Sequence, residues 1–464
     1  MKRRLAMLDK KVSVGLRAAL PIFAVTLFLM STHAAAQQET VLHNFCNTKD
    51  GCEPYGGLIL DSSGNLYGTT SAGGSRGGIV FELTPPAPPA TQWTEKKLHN
   101  FGNGDDGYSP NGGLIFDGSG NLYGTTTYGG GSGTCNEPDS TGCGTVFELT
   151  PPISPSTHWT EIRLQTFDSA QGYWPQASLI LDGSGNLYGT TYDGGCGGSY
   201  YGTVFELTPP ISPATHWTEK QLHCFSGFNG GFPTSSLIFD ASGNLYGTTS
   251  SEGAHGYGVV FELTPPTPPA TQWTQRILHS FKDNGTDGVY PHAGLILDSS
   301  GNLYGTTLGG GAYSSAGCMV ISFSGSGCGT VFELTPPIPP ATQWTETILH
   351  SFDLNGVDGV NPYASLIFDS SGNLYGTTET GGAYNSASCE GNNNNEGCGT
   401  VFELSPPIPP ATQWTETILH SFNDNGVDGY NPYSNLIFDS LGNLYGTTPS
   451  GGKYYYGTVF EITP

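Results

Sequence analysis

The chain has 464 residues, 36% of them hydrophobic and only 12% charged, with 69 Gly, 33 Pro and a formal net charge of −24. A surface this acidic repels phosphate backbones and anionic headgroups, which excludes nucleic acids and membrane surfaces as partners. Cations, neutral glycans and basic proteins remain.

In chain order, Lys2, Arg3, Arg4, Lys10, Lys11 and Arg17 precede an apolar run from Ala18 to Met30, followed by the small residues of "HAAAQ". The run is too short for a membrane span and reads as a signal peptide over residues 1–36, cleaved after Ala36. The expected product, residues 37–464, is a single secreted or periplasmic domain with 9 Lys plus Arg against 38 Asp plus Glu, a net charge of about −29. No later segment is long and apolar enough to insert in a membrane.

The phrase "GNLYGTT" begins at Gly64, Gly120, Gly185, Gly243, Gly301, Gly372 and Gly442, at intervals of 56, 65, 58, 58, 71 and 70 residues. Self-similarity at a fixed period decides architecture before local propensity does. In the first unit four β segments follow one another: "GGLILD" (strand a), "NLYGTT" (b), "GGIVFELT" (c) and "WTEKKLHNF" (d). Their Val, Ile, Tyr, Phe and Thr content and Gly/Pro punctuation are those of strands and turns. The domain opens with "TVLHNF", a d strand lacking its a, b and c, and closes with "GTVFEITP", a c strand lacking its d. This phase predicts an all-β fold: a seven-bladed propeller of four-stranded blades, closed by the N-terminal strand pairing with the last three.

Ten cysteines in an exported chain predict disulfides. Proximity pairs Cys46 with Cys52, Cys135 with Cys143, Cys318 with Cys328 and Cys389 with Cys398, while Cys196 and Cys224 can pair only if the fold brings them together.

The phrases "LILDSSGNLYGTTSAGG" and "GTVFELTPP" resemble the tandem GloVer repeats, named for Gloeobacter and Verrucomicrobia, over Thr40 to Pro464. The resemblance implies an exported tandem-repeat protein with no assigned activity. Members carry varied C-terminal anchors, whereas this chain ends on its last repeat.

Among repeated residues, Asp61, Asp117, Asp182, Asp240, Asp298, Asp369 and Asp439 read as acceptors in a-to-b hairpin turns. The d-to-a loops, such as "NGTDG" and "NGVDG", offer Asp106, Asp287, Asp353, Asn355, Asp358 and Asp428 as calcium ligands or as ordinary solvated turns. Calcium is the only cofactor the sequence suggests. His43, His99, His223, His279, His350 and His420 recur in "LHxF", with Gln165 in the remaining copy, and read as hydrogen-bonded sheet residues rather than as a metal site or proton relay, because copies on outer strands cannot converge. The repeated Trp of "WTE" reads as packing at the blade rim.

In four-stranded blades the d-to-a and b-to-c loops share one face, which collects the variable insertions 129–142, 194–201, 309–327 and 381–397. Variable loops on a rigid scaffold are where binding sits. Tyr128, Trp174, Tyr192, Tyr200, Tyr201, Tyr313, Tyr384, Tyr454, Tyr455 and Tyr456 are candidates for stacking on a sugar, or for filling gaps between loops. Catalysis needs residues that break the sevenfold pattern; Arg76, Glu252, His255, His292, Glu379 and Lys453 do, but they match no nucleophile or metal motif. The expectation is a non-enzymatic extracellular binding or adhesion scaffold for a glycan or protein. A passive surface-layer protein, or a carbohydrate-active hydrolase or lyase using Glu252 and Glu379, is the alternative.

Overall fold

The computed structural model describes residues 38–463 apart from 48–49, 103–104, 132–134, 136–141, 197–199, 314–317, 319–326, 385–388 and 390–396; the segment read as a signal peptide lies outside the described residues. Seven antiparallel four-stranded sheets form a seven-bladed β-propeller. Blade one runs Ile59–Leu60, Leu66–Thr70, Ile79–Thr84 and Thr94–Asn100 from strand a to strand d. Blade seven takes Ile437–Phe438, Leu444–Thr448 and Thr458–Thr463 from the C-terminal end and Gln38–Asn44 from the N-terminal end. The ring closes as the phase of the repeat requires, and no blade edge is left by the cut in the sequence.

The repeated phrase can be accounted for letter by letter. Gly64 turns the chain at φ 85°, where a Cβ is costly. Asp61 Oδ1 accepts the Ser63 and Asn65 amides at 2.8 and 2.9 Å, and Oδ2 accepts Asn65 Nδ2 at 2.8 Å and the Tyr67 hydroxyl at 3.2 Å. Leu66 is fully buried. At Gly68 a Cβ would lie 2.6 Å from Phe81 Cζ and 2.9 Å from Leu58 Cδ2, so the middle of the strand has no side chain because the core occupies its place. Thr69 Oγ1 donates to Gly112 O of the next blade at 3.0 Å, and Thr70 Oγ1 accepts the Ile79 amide at 3.2 Å.

The cores lie between blades rather than within them. Tyr67, Val80, Leu98 and Phe101 of blade one pack with Leu114, Leu122, Phe147 and Leu149 of blade two, and equivalent clusters recur around the ring. At each junction the Phe of "LHxF" meets the Phe of the next "VFEL", with centroids 5.0–5.3 Å apart, from Phe45 on Phe81 to Phe422 on Phe460. A bulge in every c-d pairing makes this possible. Val80 opposes His99 and Phe81 opposes Lys97, so Leu98 is the extra residue and turns inward beside Phe101.

Two features depart from the sequence reading. Strand a is paired over only two residues, because the chain ahead of it bonds to neighbouring blades instead: Gly113 donates to Ser178 Oγ and Ser365 to Asn435 Oδ1, both at 2.8 Å. The d-to-a and b-to-c loops also form short ribbons, as where Gly51–Cys52 pairs with Ala72–Gly73. All five disulfides form, including Cys196 with Cys224. Among the described residues no helix is long and apolar enough to cross a membrane.

Candidate functional site

Ribbons in five blades, and the single bridges Tyr173 to Asp193 and Gly231 to Ser251 in blades three and four, place each d-to-a loop beside the b-to-c loop of its own blade, so both kinds occupy one face. Each d-to-a loop ends in a Pro whose preceding residue is left-handed: Glu53, Ser109, Trp174, Phe232, Tyr290, Asn361 and Asn431, with φ between 54° and 60°. Their amides donate to the b-to-c loop of the preceding blade, as Trp174 does to Cys143 O at 3.0 Å and Phe232 to Tyr201 O at 2.9 Å. Their carbonyls accept from their own b-to-c loop, as Trp174 does from Tyr192 N at 3.2 Å. The backbone is therefore the same seven times while the side chain differs. A left-handed Trp, Phe or Tyr costs about 1–3 kcal/mol, a kind of strain that marks functional sites.

The residue after each Pro continues inward. Tyr55 lies 5.6 Å from Tyr433, Tyr433 4.8 Å from Tyr363, and Tyr363 5.0 Å from His292, which sits beside Thr234. These residues come from blades one, seven, six, five and four, each touching the next. The Tyr433 hydroxyl donates to Glu379, and burial together with that carboxylate pushes Tyr433 well above the ordinary tyrosine range. Burial lowers His292 to about 4, so its imidazole is neutral at pH 7.

The predicted aromatic residues divide into two groups. Tyr128, Trp174, Tyr192 and Tyr201 come together in an arc with Tyr108 and Phe232: Tyr108 to Tyr128 is 5.2 Å, Tyr128 to Trp174 6.1 Å, Trp174 to Tyr192 6.2 Å, Tyr192 to Phe232 5.1 Å and Phe232 to Tyr201 5.6 Å. Tyr200, Tyr313, Tyr384, Tyr455 and Tyr456 are exposed, and Tyr454 lies under the Lys453 ammonium at 5.3 Å. Sequence reasoning missed Tyr55, Tyr363, Tyr433, Phe232 and Glu53. The signal available was the pair of positions flanking the repeated Pro, which vary inside an otherwise constant frame.

The candidate calcium residues sit further out. Asn355 Oδ1 accepts the Val357 and Asp358 amides at 2.9 and 3.0 Å, and Asp358 Oδ2 accepts the Asp353 amide at 3.0 Å. Asp106, Asp287, Asp358 and Asp428 each reach a histidine of the preceding blade, His99, His279, His350 and His420, at 3.0–3.3 Å. The repeated Trp side chains pack on tyrosines of the preceding blade, as Trp93 does on Tyr445 at 6.4 Å.

Three overlapping matches to the Gloeobacter/Verrucomicrobia repeat profile span residues 24–210, 133–319 and 316–464. The chain belongs to the Gloeobacter/Verrucomicrobia repeat family. No curated protein matches the sequence of this repeat protein. Solved structures similar in shape include the iodide structure of a Trichoderma reesei carbohydrate-active enzyme of family AA12, at 11% identity and a TM-score of 0.41 over 93% of this chain and 96% of that one. A candidate 6-phosphogluconolactonase from Bacteroides uniformis matches at 13% identity and a TM-score of 0.43 over 78% and 84%. At these values neither carries any chemistry to this chain.

Proposed function

We propose that this repeat protein is a non-catalytic, extracytoplasmic binding propeller whose axial loop face takes a neutral glycan. The observation that carries the reading is the arc of Tyr108, Tyr128, Trp174, Tyr192 and Phe232, continued by the Tyr363, Tyr433 and Tyr55 ring. Aromatic faces suit the C–H faces of sugars, and Glu53 beside them supplies a hydroxyl partner. Five disulfides accord with an oxidising compartment. Glu379 is engaged by the Tyr433 hydroxyl, which favours a recognition role for it over that of a free acid or base.

The test is a glycan array probed with the purified protein in calcium and again after chelation, with Trp174→Ala alongside. Binding lost in Trp174→Ala supports the axial site, and binding lost on chelation brings calcium into it. No binding in either condition overturns the glycan reading in favour of a protein-binding or surface-layer role.

A further inference from the structure

We propose that the outer junctions between successive blades are divalent-cation sites, each formed by the His of one blade's "LHxF", the Asp of the following d-to-a loop and the Glu of the next blade's d strand, and that they take zinc. Four such groups stand among the described residues: His43, Asp50 and Glu95; His279, Asp287 and Glu346; His350, Asp358 and Glu416; and His420, Asp428 and Glu39. In each, one ligand atom per residue lies within 4.8 Å of the others. His350 Nε2 is 3.3 Å from Asp358 Oδ2 and 3.7 Å from Glu416 Oε1, and the His279 group repeats these distances at 3.3 and 3.6 Å. Ligands bound to one zinc at about 2.0–2.2 Å stand roughly 3.0–3.5 Å apart, so the groups need only a small contraction.

The unsatisfied atoms point the same way. The Asp50, Asp358 and Asp428 side chains are 8%, 8% and 7% exposed, yet each has a buried Oδ1 without a hydrogen-bond partner. Glu39, Glu95, Glu346 and Glu416 each have a buried Oε1 in the same state. The Asp358 and Glu416 carboxyls face one another beside the His350 imidazole. Two buried carboxyls in contact are held together by a shared proton or by a bound cation, and the unpartnered oxygens leave room for the cation. One imidazole nitrogen with two carboxylate oxygens suits zinc, whereas calcium prefers six to eight oxygens. Two of the three ligands in this group are also held in place: Asp358 Oδ2 by the Asp353 amide, and His350 edge-on to Phe352 at 4.7 Å.

The chain contains its own control. At the junction of blades three and four the Asp and Glu positions are Asn229 and Gln275. Asn229 Nδ2 meets His223 Nε2 at 3.1 Å and Gln275 Nε2 donates to Asn229 O at 2.9 Å, so the amides satisfy the junction without an ion. Both carboxylates are replaced together there.

The experiment is calorimetric titration of the chelator-treated protein with zinc chloride, followed by thermal melting with zinc or calcium. The expected result is about four equivalents of zinc bound, one for each described group, and a raised Tm that calcium at the same concentration does not reproduce. The double variant Asp358→Asn with Glu416→Gln copies a pair the fold already accepts, and binds one equivalent fewer. Cobalt substitution gives the visible spectrum of nitrogen and oxygen ligation. An absence of stoichiometric zinc binding, an unchanged stoichiometry in the double variant, or stabilisation by calcium alone would overturn the proposal; the first result would leave a shared proton as the counter-charge.

Discussion

The a-to-b turns and the axial loops come from the same repeat, and they differ in where the repetition resides. In the turns the side chains repeat: Asp61, Asp117, Asp182, Asp240, Asp298, Asp369 and Asp439 each accept two amides and an Asn side chain. In the axial loops only the backbone repeats, and the left-handed position carries Glu, Ser, Trp, Phe, Tyr and Asn. A constant side chain in a constant environment is scaffold. A varying side chain on a constant, strained backbone is where selection for a ligand can act without disturbing the blade.

Four measurements sharpen that contrast. The scaffold should respond most strongly: Phe352→Ala removes a fully buried ring from the junction with Phe402 and is expected to cost about 3–5 kcal/mol in chemical denaturation. Gly376→Ala follows, since its Cβ would lie 2.6 Å from Phe402 Cζ, and overpacking of this kind costs about 1–3 kcal/mol. On the axial face Trp174→Ala should instead lower glycan affinity about tenfold, or about 1.4 kcal/mol, with a smaller change in Tm than either scaffold variant. A Tm loss as large as that of Phe352→Ala would show that Trp174 is a core residue and would erase the distinction.

The last measurement separates the two regions by pH. Partial burial raises the Asp369 carboxyl, but hydrogen bonds from Asn373, Ser371 and Tyr375 outweigh it and hold the group below its ordinary 3.8. Its contribution is present above that value and is lost as pH falls through the lower folded value. His292 is lowered by burial from 6.5 to about 4, so the unfolded chain binds more protons across that interval and stability declines as pH falls from 6.5 towards 4. Compared with the wild type, His292→Asn should therefore lose less stability as pH falls below 6.5, with His223 contributing in the same range, while Asp369→Asn should depart from the wild type only at lower pH. Equal profiles in all three proteins would contradict the assignment.

The candidate site was legible unevenly. Trp174, Tyr128, Tyr192 and Tyr201 could be chosen because they sit in loops that break the repeat. Tyr363 and Tyr433 could not, since each lies beside a Pro in a frame that looks regular, and only the packing of blade six on blade seven, and of blade seven on blade one at ring closure, joins them to Tyr55. The histidines were read correctly as unable to converge with one another, yet their partners were invisible. Glu416 stands 66 residues after His350, and its place in "WTE" drew attention to the Trp instead.

By itself the sequence determined the blade count, the four-strand order, the closure and four of the five disulfide pairs, because each follows from period, phase or proximity along the chain. Only the tertiary structure decided which side chains meet across blade junctions and over the axis. Such contacts join residues whose separation is set by how the sheets fan around the ring, and a one-residue bulge in each outer strand turns Leu98 and its copies inward while its His neighbours reach the carboxylates of the next blade.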